Sequence, residues 1–348
     1  MADKPFIIPI FLPHQGCPHH CIFCNQNVIT GVESPLSINS IHKEIEQFLQ
    51  FRTNKRTETQ ISFYGGNFLG LNESYLIDLL TIAQSYIHSG QIHSIRFSTR
   101  PDTITKDRLS LLKQFSVKTI ELGVQSMDDC VLNTIKRGHS ANDTIQAMEL
   151  LSGKGYQLGI QLMVGLPGDN QKRLLESSQQ VVQLKPNFVR IYPVLVLKQS
   201  PLAKWYKEGK YNPLTLEKAV QKTKSLYLLF HSHGIHVIRM GLQIAKSDQN
   251  SIIAGPYHPA FGHMVYSDIV FDSIIQSLTP NHKIDQITIH THPNNLSLVK
   301  GINNYNVNRI TKKISCQSCI IQSDPKLSLQ MIMIQWNKSL PIYLKRQW

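Results

Sequence analysis

Three cysteines lie close together near the start of the chain, in the segment Cys17-Pro-His-His-Cys21-Ile-Phe-Cys24. Three thiolates on one short loop can wrap one face of a cubane iron–sulfur cluster, because each sulfur can bind a different iron. The fourth iron then has no protein ligand. An open coordination position of this kind is where a catalytic metal centre takes up an exchangeable ligand. The spacing therefore predicts a [4Fe–4S] cluster that reacts with a small molecule, with Cys17, Cys21 and Cys24 as its ligands.

A tetrahedral zinc ion is the alternative for the same segment. It would use the three thiolates and one histidine, and the nearest histidines are His14, His19 and His20. The cluster is favoured, because a zinc site does not account for the glycine-bearing turns that follow several later strands. A tight group of cysteines suits one metal centre, whereas a disulfide framework spreads its cysteines along the chain. We therefore expect a reducing compartment, the cytoplasm.

The remaining cysteines form no comparable pattern. Cys130 falls within a predicted helix, and Cys316 and Cys319 form a C-x2-C pair. Two thiolates cannot complete a cubane, and no flanking histidine pattern supports zinc, so we expect this pair to be structural. His258 lies in a loop between two prolines. We expect it to be a loop histidine rather than part of a substrate pocket.

Short β-rich runs alternate with amphipathic stretches over the first two thirds of the chain. The predicted strands are Phe6–Leu12, Gln60–Tyr64, Ser94–Ser98, Thr119–Val124, Leu158–Val164 and Phe188–Leu197. The predicted helices are Ile38–Leu49, Ser74–Ile87, Lys106–Phe115, Asn142–Leu151, Leu174–Leu184 and Leu216–His233. Alternating strand–helix units imply parallel strands joined by right-handed crossovers, in a barrel or in an open doubly wound sheet. We expect an α/β fold, a partial (β/α)6 TIM-like barrel with a small C-terminal α/β domain.

Several predicted strands end in glycine-bearing turns with polar residues. These turns are Tyr64-Gly-Gly-Asn67, Val124-Gln-Ser126 and Val164-Gly-Leu-Pro-Gly-Asp169. In parallel α/β folds the functional site lies at the carboxyl ends of the strands. The cysteine segment follows the first strand, so all of these segments are predicted to meet at one end of the sheet.

No apolar run approaches the roughly 20 residues that a membrane span requires, and we expect no membrane association.

The strand–helix rhythm changes after residue 243. The expected domains are a barrel over 1–243, a loop and helix extension over 244–280, and a small basic α/β domain over 281–348. In that last domain we predict elements at Gln286–His290, Leu296–Lys313, Cys319–Gln322 and Leu329–Gln335. The segment Gly301-Ile-Asn-Asn304 has the spacing of the G-x-x-G loop with which KH domains clamp RNA, with Asn304 at the second glycine position. The alternative is an ordinary glycine turn followed by a helix with exposed basic residues.

The chain is strongly basic, with a formal net charge of +13. The stretch Asn281–Trp348 contains nine Lys and Arg but two Asp and Glu. A basic surface attracts polyanions because counterions are released on binding. RNA or DNA is therefore an expected partner, although the same charge also serves solubility.

The cysteine segment, with Phe23 directly before its last cysteine, resembles the radical S-adenosylmethionine (SAM) superfamily. Other segments are similar to a bacterial group related to the radical SAM subunit of Elongator, which modifies wobble uridine in transfer RNA. These segments are Leu12–Gln26, Phe63–Asn67, Glu121–Ser126, Arg239–Gln243 and Gly255–Phe261. The resemblance covers roughly residues 6–265. It departs from the Elongator subunit in a shorter gap between the first two cysteines and in the lack of any segment that resembles an acetyltransferase domain.

The resemblance implies two cofactors, a [4Fe–4S] cluster and SAM, with SAM bound to the open iron by its amino and carboxylate groups. A donor such as flavodoxin or ferredoxin would supply the electron that cleaves SAM to a 5′-deoxyadenosyl radical. Many superfamily members have an acidic residue where this chain has Asn67. The residues implied as SAM contacts are Phe23 and Val164–Leu166 at the adenine, Gly65, Gly66 and Asn67 at the methionine moiety, and Arg100 and Gln125 at the carboxylate or ribose.

Three functions remain open at this point. The Elongator resemblance and the basic C-terminal stretch favour a radical SAM enzyme that modifies RNA, with transfer RNA as the substrate. The second is a radical SAM enzyme that acts on a porphyrin-type small molecule, as oxygen-independent coproporphyrinogen III oxidase does. The third is a non-catalytic protein that binds RNA or carries a cluster. No catalytic residue beyond the cofactor ligands is assigned from the sequence.

Overall fold

The computed structural model describes residues 5–27, 37–52, 58–244, 246–278, 284–337 and 339–345. The chain divides into two compact units, one of Met1–Leu216 with Leu226–Tyr257 and the other of Glu217–Ser225 with His258–Trp348. The expected boundary between residues 280 and 281 lies outside the described residues. In the part of the chain that is described, none of the helices has the length and apolar character needed to cross a bilayer.

The first unit is built on one parallel sheet and also contains a pair of short strands. The strands of the unit are β1 (Phe6–Phe11), β2 (Thr59–Tyr64), β3 (Ser94–Thr99), β4 (Val117–Gln125), β5 (Gln157–Val164), β6 (Phe188–Pro193), β7 (Val196–Leu197), β8 (His236–Met240) and β9 (Ile252–Ala254). Seven of them form a curled parallel sheet in the order β1-β2-β3-β4-β5-β6-β8. The short strands β7 and β9 pair with each other in antiparallel fashion.

Helices connect the consecutive strands of this sheet. They are α1 (Ile38–Gln50), α2 (Glu73–His88), α3 (Lys106–Leu112), α4 (Asp129–Thr134), α5 (Ala141–Leu151), α6 (Gln171–Gln183), α7 (Pro201–Lys207) and α8 (Leu216–Ser232). Each helix from α1 to α7 begins after a Ser, Thr, Asn or Asp whose side chain accepts a backbone N–H of the first turn. Such caps satisfy donors that the helix itself cannot pair, which fixes where each helix starts.

The two faces of the sheet differ in polarity because side chains alternate along each strand. On one face, fully buried residues such as Phe63, Ile120 and Ile160 join an apolar core with residues of the helices. Residues at the intervening positions, such as Arg96 and Glu121, carry polar and charged side chains. The first face is the helix-packed core, and the second face is available to line a site.

The expected α/β barrel class is confirmed, but the strand count differs from the prediction. The sheet has a seventh strand, β8, which the sequence pattern did not reveal. It is an edge strand with partly exposed residues, and Ile238 is 44% exposed, so it shows no buried apolar run. The predicted strand Phe188–Leu197 is divided into β6 and β7, which belong to different sheets.

The second unit has its own apolar core and a mixed sheet. Its further elements are α9 (Phe261–Ser277), β10 (Gln286–Thr291), α10 (Leu296–Lys300), α11 (Tyr305–Ile314), β11 (Ser318–Ser323), β12 (Met331–Trp336) and β13 (Ile342–Lys345). The strand order is β11-β10-β12-β13, with β10 and β11 parallel and the other pairs antiparallel. The single helix predicted for Leu296–Lys313 is interrupted, because Gly301, Asn303 and Asn304 all have positive φ angles. The segment Gly301–Asn304 therefore joins two helices.

Candidate active site

The cysteine segment follows β1 and is held against the loop that follows β2. The backbone N–H of Leu12 donates to the Tyr64 oxygen at 2.7 Å, and that of Asn67 donates to the Gln15 oxygen at 2.8 Å. The two loops pack so closely that a Cβ at Gly66 would lie 2.3 Å from the Gln15 oxygen. A side chain at this position would overlap the cysteine loop, so only glycine permits the approach. The glycine turn after β2 thus positions the cysteines.

Asn67 joins the loops that follow the first three strands. Its side chain is fully buried, and its Nδ2 donates to the Gly16 oxygen at 2.8 Å. Its Oδ1 accepts from the Thr99 hydroxyl at 2.7 Å, the Arg100 backbone N–H at 2.9 Å and the Thr103 hydroxyl at 3.0 Å. The side chain is therefore bonded to protein on both of its polar atoms and acts as a scaffold. Its contact with the methionine moiety of SAM stays a prediction.

The three cysteines of this segment are free thiols, with Cys21 buried and Cys17 and Cys24 partly exposed. Burial raises the pKa of Cys17, and burial together with the neighbouring Cys21 and Cys17 raises the pKa of Cys24 to about 12. Thiols that perturb one another in this way lie close together and need a compensating cation to become thiolates. A metal cluster supplies such a charge, so the donor set fits the predicted cofactor.

The zinc alternative requires a histidine as its fourth ligand. His19 and His20 are exposed. His14 has a different role, because its Nε2 accepts the backbone N–H of Gln26 at 3.0 Å and its own backbone N–H donates to the Gln26 side chain. This pair closes the cysteine segment on itself.

Arg137 reaches the cysteine segment from the turn after α4. Its buried guanidinium donates from Nη1 to the Cys21 sulfur at 3.2 Å and from Nη2 to the Gly123 oxygen at 2.5 Å. The backbone N–H of Ile22 donates to the Ile135 oxygen at 3.1 Å. A Cβ at Gly138 would lie 2.2 Å from the His19 ring. The turn after α4 and the cysteine segment are thus closely fitted to each other.

Buried polar atoms without partners lie near the cysteines. The Arg100 side chain is 2% exposed and is held by Asp102 at 2.9 Å, but its Nη1 has no hydrogen-bond partner. Both ring nitrogens of the buried His139 are also without partners. Burial, together with the charges of Arg137 and Arg100, lowers the pKa of His139 to about 3. Buried polar groups are normally paired, so this group suits a polar ligand such as SAM.

The other predicted SAM contacts divide into two sets. Leu166 is buried in an apolar cluster, and the half-buried Phe23 packs against that cluster. The side chain of Val164 is fully buried in the helix-packed core instead, which leaves its backbone to approach a ligand. Gln125 ends β4 with a φ of 71°, and its amide lies near Gly123. Their contacts with SAM stay predictions.

A charged network lies on the polar face of the sheet. The buried carboxylate of Glu121 accepts from Arg96 Nε at 2.6 Å and from Arg190 Nη2 at 3.0 Å. Gln161 and Tyr64 donate to it at 3.1 and 3.3 Å. Burial by itself would raise the pKa of Glu121, but Arg190 and Arg96 outweigh burial and the pKa is lowered. The carboxylate is thus held between two guanidinium groups on the polar face of the sheet.

Sequence reasoning did not single out Arg137, His139 or the Glu121 network. The segment Arg137-Gly-His139 follows a short helix, and charged residues at such a turn usually face solvent. The sequence did contain a pattern from which the network could have been predicted, because Arg96, Glu121 and Arg190 are charged residues within predicted strands of a buried sheet. Ionic groups at such positions are rare unless they are paired.

In the second unit, Cys316 and Cys319 lie in or against the apolar core, and burial together with Cys316 raises the pKa of Cys319 to about 12. Arg309 pairs with Asp268 at 2.6 Å and stacks 3.6 Å above the ring of Phe271. It is therefore held within the protein rather than presented to RNA. His258, also in the second unit, accepts the backbone N–H of Ala260 at 3.0 Å. In the first unit, Cys130 is an exposed residue of α4.

Comparisons with known proteins show that this chain is similar in sequence to proteins with several different functions. An uncharacterized protein of Methanocaldococcus jannaschii is 29% identical over 229 residues, which are 61% of this chain and 68% of that protein. The tRNA uridine(34) acetyltransferase of the same organism is 25% identical over 257 residues, 62% of this chain and 47% of that protein. The heme chaperone HemW of Bacillus subtilis is 23% identical over 224 residues, 63% of this chain and 59% of that protein. The chain spans about half the length of the acetyltransferases that it matches.

The fold also has a counterpart among solved structures. The archaeal Elp3 of Methanocaldococcus infernus superposes with a TM-score of 0.59 at 20% identity, over 77% of this chain and 63% of that chain. Residues 11–181 match the Radical SAM superfamily, and residues 186–270 match the Radical SAM C-terminal domain. These two regions include the cysteine segment and nearly all of the parallel sheet. The chain therefore belongs to the radical SAM superfamily.

Proposed function

We propose that this protein is a cytoplasmic enzyme that binds a [4Fe–4S] cluster on Cys17, Cys21 and Cys24, binds SAM beside it, and modifies transfer RNA. The observation that carries the proposal is the placement of three free thiols beside buried nitrogens of Arg100 and His139 that have no protein partner. A cluster held by three protein sulfurs keeps one iron open. When bound beside SAM, it would supply radical chemistry, in which a 5′-deoxyadenosyl radical would abstract hydrogen from unactivated carbon.

The protein side chains around the thiols have distinct tasks in this proposal. Arg100 offers its free Nη1 to an anionic group such as the SAM carboxylate, and Asp102 holds the guanidinium in place. Phe23 and Leu166 provide an apolar surface for the adenine. The Glu121 network makes this face of the sheet polar, which suits a hydrophilic substrate. An electron donor such as flavodoxin or ferredoxin supplies the reducing equivalent.

The proposed RNA substrate is supported by the relatives and by charge. Relatives include proteins named tRNA uridine(34) acetyltransferase, and the chain is strongly basic. In the second unit, Lys312 and Lys313 are exposed on α11, and Tyr305 at its start is 50% exposed. The loop Gly301–Asn304 before α11 has the spacing of a KH loop, which clamps RNA backbone. We propose that this KH-like unit, residues 281–348 of the chain, contacts the RNA.

The test of the enzyme is an anaerobic product assay. The protein is reconstituted with iron and sulfide, reduced with dithionite and supplied with SAM, and 5′-deoxyadenosine is measured with and without bulk transfer RNA. We expect Cys21→Ala to lose the cluster absorbance and the product. The matched control Cys130→Ala removes an exposed thiol of α4 and should retain both. Full iron content in Cys21→Ala would contradict the ligand assignment.

The same assay separates the three candidate functions. Stimulation of 5′-deoxyadenosine formation by transfer RNA supports the proposed substrate. Stimulation by a porphyrin-type compound, with no effect of transfer RNA, would instead support a small-molecule enzyme. A cluster-loaded protein that forms no 5′-deoxyadenosine under any of these conditions would be a carrier or binding protein, and the proposed enzyme function would be wrong.

A further inference from the structure

Arg137 is fixed in place at both its backbone and its guanidinium. Its backbone N–H donates to the Leu132 oxygen at 2.9 Å. The guanidinium bridges the Gly123 oxygen, at the end of β4, and the Cys21 sulfur. The side chain is almost entirely buried, at 8% exposure. A long side chain held at these points cannot move away from the sulfur without losing buried hydrogen bonds.

The contact between Arg137 and Cys21 is a hydrogen bond from a permanently charged donor. The potential of an iron–sulfur cluster depends on the hydrogen bonds that its sulfurs accept and on the charge around it. Reduction adds one negative charge to the cluster. A buried guanidinium 3.2 Å from a ligand sulfur therefore stabilises the reduced form more than the oxidised form.

We propose that Arg137 is a positioning residue that fixes the Cys21 sulfur and, through its charged hydrogen bond, makes the bound cluster easier to reduce. The inference rests on the proposed cluster site. It assigns to Arg137 the control of whether a physiological donor can deliver the electron. In the reduction itself, one electron passes from the donor to the oxidised cluster, and no bond is formed or broken.

The test is a redox titration of the reconstituted cluster in the full chain, with dithionite as reductant and electron paramagnetic resonance as the readout. Arg137→Met removes the charge and both hydrogen bonds, whereas Arg137→Lys keeps the charge and one donor. We expect the ratio of reduced to oxidised cluster at a fixed potential to fall about tenfold in Arg137→Met, a shift of about 59 mV for one electron. Arg137→Lys should restore part of this shift.

Lys118→Met is the matched control. Lys118 lies on β4 as Gly123 does, but it is at the other end of the strand, about 16 Å along it, and it pairs with Glu58 at 2.8 Å. Its removal deletes one positive charge without touching the cysteine segment. We expect its cluster to keep the wild-type potential.

The outcomes are distinct. A wild-type protein that takes up no cluster would refute the proposed function itself. A loaded Arg137→Met protein with the wild-type potential, or with a shift equal to that of Lys118→Met, would overturn only the role of Arg137. Loss of the cluster in Arg137→Met with retention in Arg137→Lys supports the positioning role. Loss in both variants would overturn the proposal, because a role that depends on charge requires lysine to retain part of it.

Discussion

Replacement of Asn67 by alanine should weaken the scaffold on which the cysteine segment rests. Asn67 joins four groups, but two of these have other partners: the Thr99 and Thr103 hydroxyls lie 3.0 Å apart, and Thr103 also donates to the Arg100 oxygen at 2.8 Å. The groups left unpaired are the Arg100 N–H and the Gly16 oxygen. A buried polar group without a partner costs about 1–3 kcal/mol. We therefore expect Asn67→Ala to lose between about 2 and 6 kcal/mol of the free energy of unfolding.

The measurement is urea unfolding of the cluster-free protein, with Asn187→Ala as the control. Asn187 is exposed and accepts a single hydrogen bond, from the Leu158 N–H at 2.7 Å. Its loss should cost about 1 kcal/mol or less. The scaffold role of Asn67 is wrong if the free energy of unfolding of Asn67→Ala lies within about 0.5 kcal/mol of the wild-type value. It is also wrong if that free energy is no lower than the value of the control. After reconstitution, Asn67→Ala should also hold less iron than the control does.

Glu121→Gln should cost about 3–5 kcal/mol of unfolding free energy in a denaturant titration, because it leaves two buried guanidinium groups without their anion; a cost under about 1 kcal/mol would contradict this. The pKa of Glu121 is lower in the folded protein than in the unfolded chain, where it is about 4.3. The ionised carboxylate therefore stabilises the fold above the unfolded pKa, and this stabilisation is lost as the pH falls through the folded pKa. The difference in unfolding free energy between wild type and Glu121→Gln should therefore shrink in acid. Gly66→Ala, whose Cβ would overlap the Gln15 oxygen, should reduce iron incorporation severalfold in an iron and sulfide assay, and full incorporation would refute the close packing of the two loops. The affinity for transfer RNA falls as salt rises, and the double change of Lys312 and Lys313 to Ala should make the slope of log affinity against log salt less steep by about 2. An unchanged slope would show that α11 does not contact the RNA.

Patterns within single segments were enough to predict the architecture. The 3.6-residue period of the helices and the apolar runs of the strands identified the alternation from which the parallel sheet follows. The prediction missed β8 because its residues are partly exposed on both faces. It also merged α10 and α11, because the left-handed conformation of Asn303 and Asn304 depends on the packed loop rather than on residue type alone.

The candidate site was predictable to the extent that its residues are adjacent in sequence. The spacing of Cys17, Cys21 and Cys24 is local, so the metal ligands could be proposed directly. The contact between Arg137 and Cys21 joins residues 116 positions apart, and no local pattern encodes it. Asn67 was expected to face a ligand, and only the packed loops reveal that its side chain is already occupied by protein groups.

Mössbauer spectroscopy of the anaerobically reconstituted protein, before and after SAM is added, tests whether the three cysteines hold a cluster with one open iron. Three cysteine sulfurs leave one iron of a [4Fe–4S] cluster without a protein ligand. We expect SAM to change the signal of that one iron and to leave the other three unchanged, and we expect Cys21→Ala to give no cluster signal. A cluster whose four irons all keep their signal when SAM is added would contradict an open iron that binds SAM, and a protein that binds zinc and holds no iron would contradict the cluster itself.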